Sequence, residues 1–275
     1  MNIDIISDLH IDQWDTSLYN KYPCGIISNH PINCNEMNKL DIKSKILIIS
    51  GDIADDLDIS IKYLNDLSVN YDKILYIDGN HEHVNKYLEL YTTTEINCKI
   101  NALSNPKIQY LPEEPYILNK TAFIGVCGWW DYTNMSDTER HTTYFNDWIV
   151  HMKKSDNLEF INNVYKRSVM EYMKIINLLE KYENNDEIRN IVLVTHTLPE
   201  SSYTCKSNVS IAYNTQFSNI RNHLKDKYGK VSHWIFGHTH GKYNKTINNV
   251  HYICNPRGRP DDYNRINYNP IQILI

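Results

Sequence analysis

Residues 45–55 read KILIISGDIAD, and this stretch decides the fold. The apolar run Lys45–Ser50 is typical of a β-strand that is buried on both faces. Gly51 and Asp52 follow the strand directly. A glycine before an aspartate often marks only a turn, so this stretch alone does not define a function. It does define a pattern that can be sought elsewhere in the chain, namely a buried strand that ends in a polar motif.

Four further apolar runs end in the same way. Sheets of α/β proteins present functional groups from loops at the carboxyl ends of their strands, so we expect the five loops to form one site. The four predicted strands are Asn2–Ser7, Lys73–Ile77, Asn190–Val194 and His233–Phe236. The motifs that follow them are Asp8-Leu9-His10, Gly79-Asn80-His81-Glu82, Thr195-His196 and Gly237-His238-Thr239-His240.

The rest of the chain predicts helices between these strands and additional strands beside them. The alternation indicates an α/β protein, and we expect a single domain over residues 1–275. The predicted helices run from Asp58 to Val69, Val84 to Asn97, Asn157 to Tyr182 and Gln216 to Lys227. Closely spaced strands, which suggest antiparallel additions to the sheets, are predicted at Ile108–Leu111, Tyr116–Leu118, Ala122–Cys127, Tyr243–Ile247, Val250–Ile253 and Ile271–Leu274.

Composition excludes several classes of protein. A hydrophobic fraction of 41% and a charged fraction of 22% are typical of a folded globular chain. The net charge of -5 gives no broad cationic surface, so extended nucleic acid is not an expected partner. The chain has no basic, apolar leader at its start and no apolar run of membrane-spanning length, so we expect a cytoplasmic protein without a membrane partner. The oligomeric state is left open.

The residue types in the five motifs are those that bind transition metals. Asp8 and His10 offer an oxygen and a nitrogen, although a turn-capping aspartate beside a surface histidine is an equally simple explanation of that pair. His238 and His240 form a sharper signal, because two imidazoles two residues apart in an extended segment can reach two neighbouring metals. Asn80 adds a neutral amide oxygen without further negative charge.

The ordered series D-x-H, G-D-x-x-D, G-N-H-E, H and G-H-x-H resembles that of the calcineurin-like metallophosphoesterase superfamily, and it spans Asp8 to His240. The resemblance implies a four-layer α/β/β/α sandwich of two mixed sheets flanked by helices. It also implies two divalent metal ions, and the donor types suit Mn, Fe, Zn or Ni. By this resemblance Asp8, His10 and His240 would hold the first ion, Asn80, His196 and His238 the second, and Asp52 would bridge both.

The implied activity is hydrolysis of a small phosphomonoester or phosphodiester, and a nucleotide is one candidate. Two ions roughly 3.5 to 4 Å apart would turn a bridging water into the hydroxide nucleophile. His81 would face the substrate and protonate the leaving oxygen, and Asn80 would also contact the substrate. Asp55 would hydrogen-bond His81, or it would only cap the following helix. Glu82 would support the loop or begin a helix.

The sequence departs from the family pattern at one position. Many relatives carry arginine directly after G-D-x-x-D, where it grips phosphate, but here Asp56 follows Asp55. This departure weakens a phosphoprotein phosphatase function. Residues 254–260, CNPRGRP, resemble an N-P-R-G element of smaller bacterial-type members. Arg257 is therefore a candidate phosphate contact or a turn-stabilising residue, and Arg259 is expected at the surface.

Two alternatives to a phosphoesterase stay open at this point. A scaffold subunit on the same fold would lack a ligand or the histidine next to Asn80. A nuclease of the superfamily would bring a capping domain and basic surfaces. A group of aromatic residues is either a stacking wall for a nucleobase or ordinary core packing, and it comprises Trp129, Trp130, Tyr132, Tyr144 and Trp148.

Overall fold

The computed structural model describes most of the chain as strands and helices that alternate along the sequence. The described residues are 1–13, 44–84, 86, 89–133, 158–203, 214–259, 262 and 268–275, with backbone only at 158–160. The strands are β1 Asn2–Ile6, β2 Ile46–Ser50, β3 Lys73–Ile77, β4 Ile108–Tyr110, β5 Tyr116–Leu118, β6 Thr121–Val126, β7 Asn190–Thr195, β8 Val231–Phe236, β9 Tyr243–Ile247, β10 Val250–Cys254 and β11 Ile271–Leu274. The α-helices are α1 Leu57–Leu67, α2 Thr93–Asn101, α3 Leu158–Glu183 and α4 Thr215–His223.

The strands form two mixed sheets. The first has the order β11-β1-β2-β3-β4, and the second has the order β5-β6-β7-β8-β10-β9. Strands β1 to β4 are parallel, as are β6, β7, β8 and β10. Three strands pair antiparallel at sheet edges, β11 with β1, β5 with β6 and β9 with β10. Of the strands predicted as antiparallel additions, β4 is corrected, because it pairs parallel with β3, whereas β6 and β10 each pair antiparallel with one neighbour and parallel with the other.

The two sheets pack face to face and helices cover their outer faces. Side chains alternate between the faces of a strand, so each strand contributes to two cores. The core between the sheets contains Ile48 and Leu75 of the first sheet and Val194 and Ile235 of the second. Alternate residues of the first sheet pack with α1 and α2, and those of the second sheet pack with α3 and α4. The predicted four-layer α/β/β/α sandwich is confirmed.

Three helices lie within about one turn of their predicted bounds, but α2 does not. It begins at Thr93, whereas the sequence prediction began at Val84. The physical reason is a capping box, in which the Thr92 hydroxyl accepts from the Glu95 N–H while the Glu95 carboxylate accepts from the Thr92 N–H. Among the described helices, none combines the length and apolar character needed to cross a bilayer.

Candidate metal centre

The loops at the carboxyl ends of β1, β2, β7 and β8 meet through backbone hydrogen bonds. The Asp8 N–H donates to the Gly51 carbonyl at 3.0 Å, which joins the loops after β1 and β2. The Gly237 N–H donates to the His196 carbonyl at 2.9 Å, which joins the loops after β7 and β8. The His238 N–H donates to Asp8 Oδ1 at 2.7 Å and so joins the two pairs, and the predicted convergence of these strand ends is therefore present.

One group of donor atoms comes from Asp8, His10, Asp52 and His240, and these atoms lie within 4.8 Å of one another. His10 Nε2 lies 2.9 Å from His240 Nε2. His240 Nε2 lies 3.7 Å from Asp8 Oδ1, and His10 Nε2 lies 3.9 Å from Asp52 Oδ2. The structure thus brings together the four residues assigned to the first metal by resemblance.

A second group lies on the other side of Asp52 and includes Asn80, His196 and His238. Asn80 Oδ1 is 3.0 Å from His196 Nε2 and 2.8 Å from His238 Nδ1. His196 Nε2 is also 3.1 Å from Asp52 Oδ2. One oxygen of Asp52 therefore faces both groups, as a bridging ligand must.

The donor set fits divalent transition metals. Ligand atoms about 2.0 to 2.2 Å from one metal lie roughly 3 to 4 Å from each other, and the contacts described above measure 2.9 to 3.9 Å in the first group and 2.8 to 3.1 Å in the second. Asp8 Oδ2 is buried and has no hydrogen-bond partner among the described residues. A buried carboxylate oxygen without a donor is costly unless a cation compensates it. Imidazole, carboxylate and amide donors together suit Mn, Fe, Zn or Ni.

Five of the seven candidate ligands adopt backbone conformations that L-residues rarely use. Their φ angles are 49° at Asp8, 44° at His10, 57° at Asp52, 73° at His238 and 53° at His240. Non-glycine residues in this region cost free energy and cluster at functional sites. The loops are therefore held in conformations that direct these side chains inward.

Glycine at position 79 is required by the close approach of two loops. A Cβ atom there would lie 2.2 Å from Asp52 Oδ1. The missing side chain at Gly79 leaves room for this Asp52 oxygen, which also accepts a hydrogen bond of 2.9 Å from the His81 N–H. This bond occupies Oδ1 and leaves Oδ2 to face the two donor groups.

Two histidines are oriented by hydrogen bonds at their other ring nitrogen. His196 Nδ1 lies 2.8 Å from the Ser50 carbonyl, so it must donate there, and its Nε2 faces the centre, where it would offer a lone pair once a metal ion replaces its proton. His240 Nδ1 contacts Asp262 Oδ2 at 2.5 Å. Asp262 could not be recognised from the sequence, because it lies outside every metal-binding motif and carries no local signal.

The buried carboxylate of Glu82 joins the loops after β2 and β3. Its carboxylate accepts hydrogen bonds from the N–H groups of Gly79 at 2.7 Å, Asp52 at 3.1 Å and Ile53 at 2.6 Å. Burial, together with the charge of Asp52, raises the pKa of Glu82 to about 7. Two roles were predicted for Glu82, support of the loop and the start of a helix. These hydrogen bonds make loop support its main role, although Glu82 also lies in a short 3-10 turn, His81–His83.

The charges of the centre are strongly coupled through Asp52. Burial alone would raise the pKa of Asp52, but the charges of His196 and His81 outweigh it and hold this pKa well below its usual range. Burial would lower the pKa of His196, yet Asp52 raises it to about 10. In the metal-free protein these two residues therefore form an imidazolium–carboxylate pair, and a metal ion would have to replace that proton.

His81 pairs with Asp55 at the edge of the centre. His81 Nδ1 lies 2.5 Å from Asp55 Oδ1, and Gln13 Nε2 donates to the same carboxylate at 3.2 Å. Burial would lower the pKa of His81, but the charges of Asp52 and Asp55 outweigh it and leave the pKa raised. Asp55 does not cap α1. That role belongs to Asp56, whose Oδ1 accepts from the N–H groups at the start of the helix.

The two arginines after β10 differ from expectation in their exposure. Arg257 is fully buried, and this burial lowers its pKa to about 10. Full burial of the side chain favours a structural role over the predicted phosphate contact, and the backbone N–H of Arg257 donates to the Ser7 carbonyl at 3.0 Å. Arg259, expected at the surface, is instead half-buried, and its Nη2 lies 3.0 Å from His81 Nε2. The expectation was wrong because β10 is parallel to β8, so the loop after β10 returns to the site.

The aromatic group packs behind the centre. Trp129, Trp130 and Tyr132 are 0%, 1% and 4% exposed, so they form no open stacking wall in the described part of the chain. The Trp130 ring packs against His238 with centroids 5.5 Å apart. The structure favours core packing for these three, whereas Tyr144 and Trp148 lie outside the described residues.

The chain belongs to the calcineurin-like phosphoesterase family, whose sequence profile matches residues 1–242. Membership indicates a metal-dependent phosphoesterase. An uncharacterized protein of Acanthamoeba polyphaga mimivirus is 26% identical over 240 residues, which cover 82% of this chain and 81% of that protein.

Two solved structures resemble the chain. Phosphopantetheinyl hydrolase from Mycobacterium tuberculosis has a TM-score of 0.66 at 15% identity, covering 99% of this chain and 95% of that one. This likeness shows the shared fold. A dimetal phosphatase from Danio rerio has a TM-score of 0.49 at 11% identity, covering 92% of this chain and 86% of that one.

Proposed function

We propose that the protein hydrolyses phosphoric esters with two divalent metal ions held at the ends of its strands. The observation that carries the proposal is the position of Asp52, whose Oδ2 lies 3.1 Å from His196 Nε2 on one side and 3.9 Å from His10 Nε2 on the other. In the proposed centre Asp52 is shared. Asp8, His10 and His240 complete one ligand set, and Asn80, His196 and His238 complete the other.

Bound divalent ions would acidify a coordinated water and neutralise charge on the phosphate oxygens. The chain's own residues prepare the site for this chemistry. The low pKa of Asp52 keeps it anionic across the physiological range. Glu82 fixes the loops on which Asp52 and Asn80 lie, so the ligands need little reorganisation on binding.

We propose that His81 donates a proton to the leaving oxygen. Its Nδ1 is engaged by Asp55, and its Nε2 lies 3.9 Å from Asp52 Oδ2, so the ring edge is directed toward the shared oxygen. Asp52 and Asp55 raise the pKa of His81 against burial and the charge of Arg259, and so favour the protonated form that a general acid needs; the Arg259 guanidinium, 3.0 Å from Nε2 in the metal-free protein, would have to move away from that nitrogen. Asn80, whose Oδ1 faces His196 and His238, would use its amide nitrogen to contact the substrate.

The proposed substrate class is a small phosphomonoester or phosphodiester, with nucleotides among the candidates. Retention of all seven ligands and of His81 argues against the scaffold alternative, which predicts the loss of at least one of them. The net charge of -5 argues against the nuclease alternative, because a nucleic-acid backbone needs cationic surface.

Metal analysis combined with a substrate panel tests the proposal. The panel compares a nitrophenyl monoester, its diester, and cyclic and linear nucleotides, after loading with Mn²⁺ or Zn²⁺. We expect two bound ions per chain and turnover of at least one ester. Asp52→Asn should lose both ions, His81→Ala should keep them but turn over more slowly, and the exposed control Asp226→Asn should match the wild type. A wild-type protein that binds neither metal would overturn the proposal.

A further inference from the structure

The guanidinium of Arg259 faces the metal centre without an anionic partner. Its Nη2 lies 3.0 Å from His81 Nε2, and its Nε is buried with no hydrogen-bond partner among the described residues. No described carboxylate lies within salt-bridge distance of this guanidinium. Guanidinium groups stay charged at every physiological pH. A half-buried cation whose guanidinium contacts only an imidazole among the described residues is therefore positioned to bind an added anion.

The backbone around Arg259 is anchored to one of the candidate metal ligands. The Arg259 N–H donates to Asp262 Oδ2 at 2.7 Å, and the same oxygen contacts His240 Nδ1 at 2.5 Å. One carboxylate thus fixes both the ring of His240 and the start of the Arg259 side chain. The guanidinium is consequently held at a defined place relative to the centre.

The loop after β2, residues 51–56, contains no lysine or arginine that could bind phosphate in place of Arg259. Asp56 opens α1 there, and its Oδ1 accepts from the N–H groups of Asp58 and Ile59 at 2.8 and 3.0 Å. Asp55 engages His81 rather than an arginine. Among these neighbouring side chains, Arg259 alone offers the several parallel N–H donors that match phosphate oxygens.

We infer that Arg259 binds a terminal phosphate oxygen of the substrate and makes the site prefer phosphomonoesters to phosphodiesters. The inference rests on the proposed function. A monoester has three terminal oxygens, so two can lie toward the metal ligands while the third accepts from Arg259. A diester has only two, and its third position carries a substituent in place of the anionic oxygen. The guanidinium therefore loses its charged acceptor when a diester is bound.

Arg259→Ala in the manganese-loaded protein tests this inference by two measurements. The first is orthophosphate affinity by titration calorimetry, and we expect roughly 10- to 100-fold weaker binding, the range for a hydrogen bond to a charged group. The second is kcat/KM for p-nitrophenyl phosphate and for bis(p-nitrophenyl) phosphate. We expect a similar loss for the monoester and little change for the diester.

Two further variants serve as controls. Arg189→Ala removes one positive charge from an exposed position just before β7, and it should leave the phosphate affinity and both kcat/KM values at the wild-type level. Arg259→Lys should recover part of the phosphate affinity, because lysine keeps the charge but lacks the planar fork. Equal losses for the two esters, or unchanged phosphate affinity in Arg259→Ala, would overturn the inference.

Failure of the proposed function gives a different result. In that case the wild type turns over neither ester, and the inference is judged on phosphate binding alone. Weaker phosphate binding by Arg259→Ala than by Arg189→Ala would then support an anion site at Arg259. Absence of phosphate binding in the wild type would overturn it.

Discussion

Glu82 Oε1 accepts a hydrogen bond of 2.6 Å from the backbone N–H of Ile53, and this bond joins the loop after β3 to the loop after β2. The side chain is fully buried and also accepts from Gly79, Asp52 and the hydroxyl of Ser60. Loss of the carboxylate would leave these donors buried without partners, and such donors are costly. The position of the candidate metal ligands therefore depends on a residue that is not itself a ligand.

We predict that Glu82→Ala lowers the free energy of unfolding by about 3 to 5 kcal/mol, as expected when a buried charged network is broken. Urea unfolding of the metal-free protein measures this change. The exposed Glu187→Ala variant is the control and should differ little from the wild type. Equal stabilities of the two variants would contradict a structural role for Glu82.

We predict that Asp262→Asn weakens one of the two metal sites by roughly 10- to 100-fold, the usual effect of removing a carboxylate that orients a histidine ligand. The reason is the contact between Asp262 and His240 Nδ1. Competitive titration with a metal indicator measures both affinities, and Asp226→Asn is the exposed control. Wild-type affinity at both sites would show that His240 needs no such support.

We predict that Asp55→Asn moves the alkaline limb of the pH–rate profile to lower pH. Burial lowers the pKa of His81, and the charge of Asp55 is one of those that oppose burial and raise it. Removing that charge lowers the pKa, so a proton-donating His81 deprotonates earlier as the pH rises. A profile measured with an alkyl phosphate ester, whose alkoxide leaving group needs protonation, tests this. An unmoved limb would separate Asp55 from the acid function.

We predict that the free energy of unfolding falls less on acidification in His233→Gln than in the wild type. Burial and the neighbouring His251 lower the pKa of His233 to about 4, so the folded state binds fewer protons than the unfolded state. The stability that this histidine contributes is present above its unfolded pKa near 6.5 and is lost as the pH falls through about 4.

Thermal melts of the metal-free protein across that pH window measure the effect. His223→Gln, at an exposed position at the end of α4, is the matched control and should follow the wild type. If the melting temperature of His233→Gln falls as steeply as that of the wild type, another group accounts for the acid sensitivity.

Much of the fold could be predicted because the buried strands are unusually clear in the sequence. Strand β2 is apolar from Ile46 to Ile49 and is buried at every position, as a central parallel strand requires. Helix α2 was harder to predict. Its start is set by the reciprocal hydrogen bonds of Thr92 and Glu95. The apolar periodicity of the residues before Thr92 predicted an earlier start.

The candidate ligands could be named from short motifs, but their supporting residues could not. Arg259 and Asp262 reach the centre because β10 runs parallel to β8, and the sequence suggested only that β9 and β10 were close neighbours. Strand direction is decided by pairing between residues far apart in the chain, such as His251 with His233. A local pattern carries no information about such pairing.

The sequence by itself determined the identity of the donors, since only residue type sets whether a side chain offers an imidazole nitrogen, a carboxylate or an amide oxygen. It also determined that each donor follows a strand. The family resemblance suggested that Asp52 is shared and that Asp55 pairs with His81, but tertiary structure alone decided which arginine faces the centre and which carboxylate contacts His240. These relationships depend on distances of about 3 Å between loops that are remote in sequence, and packing of the two sheets sets those distances.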